Sequence, residues 1–314
     1  MLFRSPVSES SPQPESQPSA APDSTSPAIA TLARAWQPIT PRGIAAFSRA
    51  KAGRLGVVQL LVAIAVVASV LWFLSHAWFP LTLQAIRQLP ETGSITNGLL
   101  DTPSSSALPL AENRFLAFFV DTNTTADATV SADFRIGFHH QQWTVCSLFG
   151  CLSRPYPTTP PTGFNRDDLE ALWGAWEPML LGVVAVAVFF GLFFNWWLLA
   201  TVYSPFAWLL AYFKDRDLTL AGAWKLSGAA LLAPALMLTL GIVLYGLGMV
   251  DLLRLLLLWA LHIPLGWAAL IAAVLAVPRV SVVANEKKNP FGDAPAGKPD
   301  APKRPGNPFS PPSS

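Results

Sequence analysis

The residues whose types and spacing could do chemistry are few, and they fall in two places. Cys146 and Cys151 enclose Ser147-Leu148-Phe149-Gly150, and His139 and His140 stand just before them. Two thiols at this spacing can close a disulfide across a tight turn in an oxidising compartment, and the Cys146–Cys151 pair is expected in that form. Two free thiols are the alternative. A zinc site with a histidine is the third reading, because zinc takes Cys and His at such spacings. Adjacent histidines on a strand point to opposite faces, so only one could join the cysteines, and a fourth ligand is missing. Asp121 and Asp133 are the other pair in this region. Paired carboxylates can do acid–base work, but nothing in the sequence brings these two together.

The second place is the apolar stretch Met179 to Pro278, where Asn195, Asp251, Arg254 and His262 are the polar residues of interest. Polar groups at membrane depth are functional leads by default. Asn195 is expected to hydrogen-bond a neighbouring helix. Asp251 and Arg254 stand three apart in a very short turn and are expected to pair. His262, just before Pro264, reads as a packing histidine bonded to a backbone carbonyl that the proline frees. A relay or ligand role is its alternative. No catalytic residue, cofactor or metal is expected.

The elements that must position these residues are set by composition. The chain has 314 residues, of which 52% are hydrophobic and 13% charged. Soluble domains carry about 25% charge, so the chain belongs to the membrane class. Its formal net charge of +2 gives no reason to expect nucleic acid. The expected fold is a membrane α-helical bundle of four transmembrane helices. A small extracytoplasmic β-rich (α+β) domain is inserted between helices 1 and 2. The first helix is expected over 56–80 and the others over 179–202, 226–250 and 255–278. Ser204-Pro205 is expected to end the second helix, leaving 206–213 as an in-plane or re-entrant interfacial segment. A kinked continuation of that helix is the rival reading. Pro234 is expected to kink the third helix.

Residues 81–178 form the inserted domain, with three to five expected strands. Asn97-Gly98 is a favoured two-residue hairpin turn. Arg114 to Thr122 is β-rich, and Val130, Ala132, Phe134, Ile136 and Phe138 alternate onto one face. Arg166 to Pro178 reads as a helical approach to the second span. Residues 34–55 are a basic juxtamembrane segment, with Trp36 and Phe47 expected on lipid. Residues 1–33 and 279–314 are Pro-rich tails expected to be disordered. The second tail carries Asn-Pro-Phe twice, and Asn123-Thr124-Thr125 matches a glycosylation sequon.

Charge sets the expected orientation. Residues 81–178 contain five arginines, no lysine and ten acidic residues. All seven lysines lie outside that segment: Lys51, Lys214, Lys225, Lys287, Lys288, Lys298 and Lys303. The positive-inside rule then puts both termini in the cytoplasm and 81–178 outside.

Several stretches carry a family resemblance. QLPETGSITNGLLDTP, ENRFLAFFVDT and SADFRIGF, followed by a polytopic block, resemble a family of uncharacterised bacterial membrane proteins. Some of its members are labelled maltodextrin-utilisation membrane proteins. The stretches LLATVYSPFAWLLAYF and KLSGAALLAPALML are also similar to Yip1-like helical bundles. The resemblance covers residues 40–280 and implies a multi-pass protein of the bacterial inner membrane. It brings no catalytic residues. The expected role is a non-enzymatic scaffold or sensor, with the lipid bilayer and membrane or envelope proteins as partners. A transporter or permease subunit built around His262, Asn195 and the kinked third helix is the alternative.

Overall fold

The structure is a computed structural model that describes residues 37–103, 108–121 and 131–280. The 1–33 tail, Trp36, the 123–125 sequon, Val130 and both Asn-Pro-Phe repeats lie outside the described residues. Among the described residues, four helices are long and apolar enough to cross a membrane. A small sheet-rich region accompanies them.

The first of these runs Ala52–Arg87. Behind a short helix, α1 (Pro41–Phe47), it comprises α2 (Ala52–Phe73), a π-helical turn Leu74–Trp78 and α3 (Phe79–Arg87). The expected stop at Pro80 does not occur. Pro80 sits in the first turn of α3, where a missing N–H is tolerated, and the π-helical turn before it absorbs the mismatch. The helix therefore continues past the apolar run and carries Leu81 and Ala85 beneath a sheet.

Eight strands follow among the described residues, more than the three to five expected. The strands β1 (Ser94–Thr96), β2 (Leu99–Asp101) and β8 (Thr162–Gly163) form one sheet in the order β2-β1-β8. Thr96 faces Leu99 across Asn97 and Gly98, both at positive φ, so the Asn-Gly pair closes this hairpin. The second sheet is β3-β4-β5-β6-β7: Leu108–Glu112, Leu116–Asp121, Phe134–His139, Gln142–Ser147 and Gly150–Pro155. β4 and β5 are parallel, and the other neighbours in this sheet are antiparallel. Phe134, Ile136 and Phe138 share one face and pack with Leu116 and Phe118 on α3. His140 ties the two sheets, since its Nδ1–H donates to the Leu100 carbonyl at 3.0 Å and its own carbonyl accepts from Leu100 N–H at 2.7 Å.

The second long helix, α4, runs unbroken from Arg166 to Phe213. Asn165 caps it by accepting from Asp168 N–H at 2.9 Å. Its 48 residues make it roughly 70 Å long, more than twice a ~30 Å hydrocarbon core. The excess at its start lies against α3, where Trp173 meets Phe79 and Glu170 pairs with Arg87. Phe206–Phe213 is the last two turns of α4 and no separate interfacial segment. The reason is local. Pro205 cannot donate to the Thr201 carbonyl, and Ser204 Oγ–H donates to it instead at 3.1 Å.

The third long helix consists of α5 (Leu220–Ala230) and α6 (Leu232–Gly246), interrupted at Leu231. It starts six residues before the expected 226, capped by Thr219 accepting from Gly222 N–H. The interruption falls where Pro234 would clash with the carbonyl four residues back. The last, α7, is Leu252–Ala276. The bundle core gathers Val58, Val62, Leu226, Leu232, Leu270 and Val274. Ile44 and Phe47 of α1 are buried in the same core, Phe47 at 0% exposure. Phe47 therefore faces protein, correcting the expectation that it meets lipid.

Candidate functional site: the junction of the sheet and the helix ends

The end of the second sheet that holds Glu112, Leu116, Phe134 and Ser147 rests on the ends of the helices. Asn113 sits in the β3–β4 turn, where its Oδ1 accepts from Phe115 and Leu116 N–H, both at 2.9 Å. Its Nδ2–H donates to the Ala77 carbonyl in the π-helical turn at 2.7 Å. Arg114 follows. Its guanidinium donates through Nη2 to the Val250 carbonyl at 2.9 Å and through Nη1 to the Gly248 carbonyl. Gly248 has φ +75°, a conformation that glycine adopts without strain. That turn aims the carbonyls of Gly248 and Val250, two residues apart, at one guanidinium fork.

Beside this clamp, Tyr245 of α6 donates its hydroxyl to Asp133 Oδ2 at 2.7 Å. Phe73, Phe115 and Tyr245 form a ring triad with centroids 4.9–5.4 Å apart. Trp78 packs edge-on to Phe134 at 5.5 Å. Such aromatic pairs add about 0.5–1.5 kcal/mol beyond their buried area. The junction is thus apolar at its centre and hydrogen-bonded at its rim.

Next to it opens a cleft of about 420 Å³ lined by Asp133, Arg135, Ser147, Leu148, Asp251 and Leu253, among others. Two carboxylates, a guanidinium and a serine hydroxyl suit a small polar or zwitterionic group. Both carboxylates already have partners, Asp133 in Tyr245 and Asp251 in Arg254.

The residues singled out from the sequence are distributed as follows. Asp251 caps α7 by accepting from Arg254 N–H at 2.7 Å, and its carboxylate lies 3.5 Å from Arg254 Nε. Both are exposed at the helix start, so the pair is a turn element. Asp251 borders the cleft. Asn195 is exposed on α4 and makes no hydrogen bond to another helix among the described residues, which corrects the expected interhelical bond. His262 donates from Nδ1 to the carbonyl of Trp259. The carbonyl that Pro264 frees belongs to Ala260, one residue further on, so the expected type of partner is present at a different residue. Asn195 and His262 are on different helices and the structure brings neither to the junction.

Cys146 and Cys151 face each other across β6 and β7, with Cα atoms 4.0 Å apart, and their sulfurs are bonded. His139 lies four residues along β5 from the partner of Cys146, roughly 13 Å away. It meets Thr144 Oγ1 at 3.1 Å. The zinc alternative fails on this placement. Among the described residues, no three His, Cys, Asp or Glu side chains are grouped to hold a metal ion. Asp121 and Asp133 lie at opposite ends of the β4–β5 pair, roughly 20 Å apart along the strands, so they cannot share a proton.

Sequence reasoning missed Asn113, Arg114 and Tyr245. Arg114 is one of only five arginines in 81–178 and precedes an apolar strand. That was the available signal. Tyr245 gave no signal, because its partner, Asp133, is 112 residues away.

No family model matches this chain, and neither does any curated protein or any solved structure.

Proposed function

We propose that this is an integral protein of a bacterial inner membrane, a non-enzymatic scaffold or sensor whose sheet module lies outside the cytoplasm. The module binds a ligand or a membrane or envelope partner, and the junction passes its position to the helices. The lipid bilayer is the constant partner, and nucleic acid has no part in this reading. The observation that carries it is the clamp of Arg114 on the Gly248 and Val250 carbonyls with Tyr245 on Asp133.

Orientation is supported by how charge divides between the two ends of the bundle. Arg42, Arg49, Lys51, Arg54, Lys214, Arg216, Lys225 and Arg279 belong to the end opposite the sheet. There Arg49 pairs with Asp217 at 3.0 Å and Lys225 donates to the Ala50 carbonyl at 2.7 Å. The resemblance to maltodextrin-utilisation membrane proteins and to Yip1-like bundles points to the same membrane class. The transporter alternative is weakened because Asn195 faces outward and His262 turns back on its own helix.

The test is complementation of a gene deletion by two variants, each checked for normal membrane level. Arg114→Ala combined with Tyr245→Phe should fail to rescue the deletion, and His262→Gln should rescue it. The reverse pattern would favour the transporter.

A further inference from the structure

The β6–β7 turn ends in Leu148 and Phe149, which are 57% and 76% exposed. Two-residue hairpin turns favour Asn, Asp and Gly, so two large apolar side chains here are out of place in water.

The direction of this tip follows from register. Phe134 pairs with Leu116 on β4 and with Ser147 on β6. That is the end of the sheet that meets the helices, through Phe134 on Trp78 and Asp133 on Tyr245. Leu148 and Phe149 come directly after Ser147, at that same end. Leu148 borders the cleft together with Asp251, Leu252 and Leu253. Leu253 is 55% exposed in the first turn of a helix that is long and apolar enough to cross a membrane, and Leu257, one turn deeper, is 60% exposed. The tip is therefore level with the start of an outward-facing apolar helix surface, across the cleft from it. The Cys146–Cys151 cross-link closes the hairpin just above the turn.

We propose that the Leu148-Phe149 tip inserts into the apolar edge of the bilayer leaflet on the module's side. The inference rests on reading the four long helices as membrane spans. It gives the sheet a second support. Arg114, Phe115 and Asp133 hold the β4–β5 side to the helices, and lipid holds the β6–β7 side. The bilayer is the occupant because the exposed tip stands level with the exposed apolar face that Leu253 and Leu257 begin on α7.

The experiment places photo-crosslinking benzoylphenylalanine singly at position 149, at 253 or at 142, in the full chain. Gln142 is at the far end of β6, paired with Pro155. Each protein is reconstituted in nanodiscs of phosphatidylethanolamine and phosphatidylglycerol, irradiated and analysed by mass spectrometry. Lipid adducts at 253 and 149 with none at 142 are expected. Adducts at 253 alone would overturn tip insertion and leave the membrane reading standing. No adduct at either 253 or 149 would overturn both. A cross-link from 149 to a second protein chain, with lipid adducts only at 253, would overturn insertion in favour of a protein contact.

Discussion

Arg114 is a strand-end arginine whose guanidinium is spent on two backbone carbonyls of another element. Hydrogen bonds to charged groups contribute about 1.5–3 kcal/mol, so Arg114→Ala should lower unfolding stability by about 2 kcal/mol. Arg114→Lys should not restore it, because a lysine ammonium lacks the planar fork. Thermal unfolding of the purified chain in detergent measures both. The cysteine pair gives a second residue-scale outcome. Thiol alkylation under denaturing, non-reducing conditions should label neither Cys146 nor Cys151, and labelling of both would show free thiols. Tyr156 gives a third. It is buried in the module core with no hydrogen-bond partner for its hydroxyl among the described residues, and burial pushes that hydroxyl above its ordinary value. A raised folded-state value stabilises the protein below the ordinary tyrosine range, near pH 10, and that stability is lost as pH rises further. Tyr156→Phe should therefore flatten the alkaline loss of stability in a pH series of melting curves. At this scale the sequence was legible where partners are close in the chain. Asp251 and Arg254 are three apart and pair. Arg114 and its carbonyls are more than 130 residues apart, and no local pattern could join them.

At the scale of elements, hydropathy located the long helices and the proline rules misplaced their ends. Pro80, Pro178 and Pro205 all lie inside continuous helical segments. A helix can run through a proline when the carbonyl that the proline orphans finds another donor. Ser204 is that donor for Thr201, and the residue before Pro205 looked like a breaker only when read alone. Ser204→Ala should therefore loosen the last two turns of α4. The expected cost is about 1 kcal/mol, with faster amide hydrogen exchange over 206–213 and none of that change over 183–195. Unchanged exchange over 206–213 would contradict this account of the helix. The strands tell a similar story. Asn97-Gly98 announced its hairpin through backbone conformation. The parallel pairing of β4 with β5 did not show, because alternation of apolar residues is the same whether a neighbour runs parallel or antiparallel.

At the scale of the molecule, two long helices extend beyond their most apolar stretches and carry the sheet between them. α3 continues the first span to Arg87, and α4 starts at Arg166 above the second. The Arg87–Glu170 pair joins them at 3.0 Å, but it is exposed and exposed pairs contribute only about 0–1 kcal/mol. The apolar contacts of Leu81 and Ala85 with the sheet, and of Phe79 with Trp173, hold the arrangement more firmly. The opposite end gathers the lysines of the described residues, and there the chain leaving α7 returns to the α4–α5 turn, where Arg216 donates to the Val277 carbonyl at 2.8 Å. Segregated charge of this kind is what the positive-inside rule acts on. The central claim is that the sheet module and the two chain termini lie on opposite sides of one membrane. The most direct measurement fuses alkaline phosphatase or green fluorescent protein after residue 157 and after residue 300. The account predicts phosphatase activity only at 157 and fluorescence only at 300. Phosphatase activity at 300, or fluorescence at 157, would contradict it.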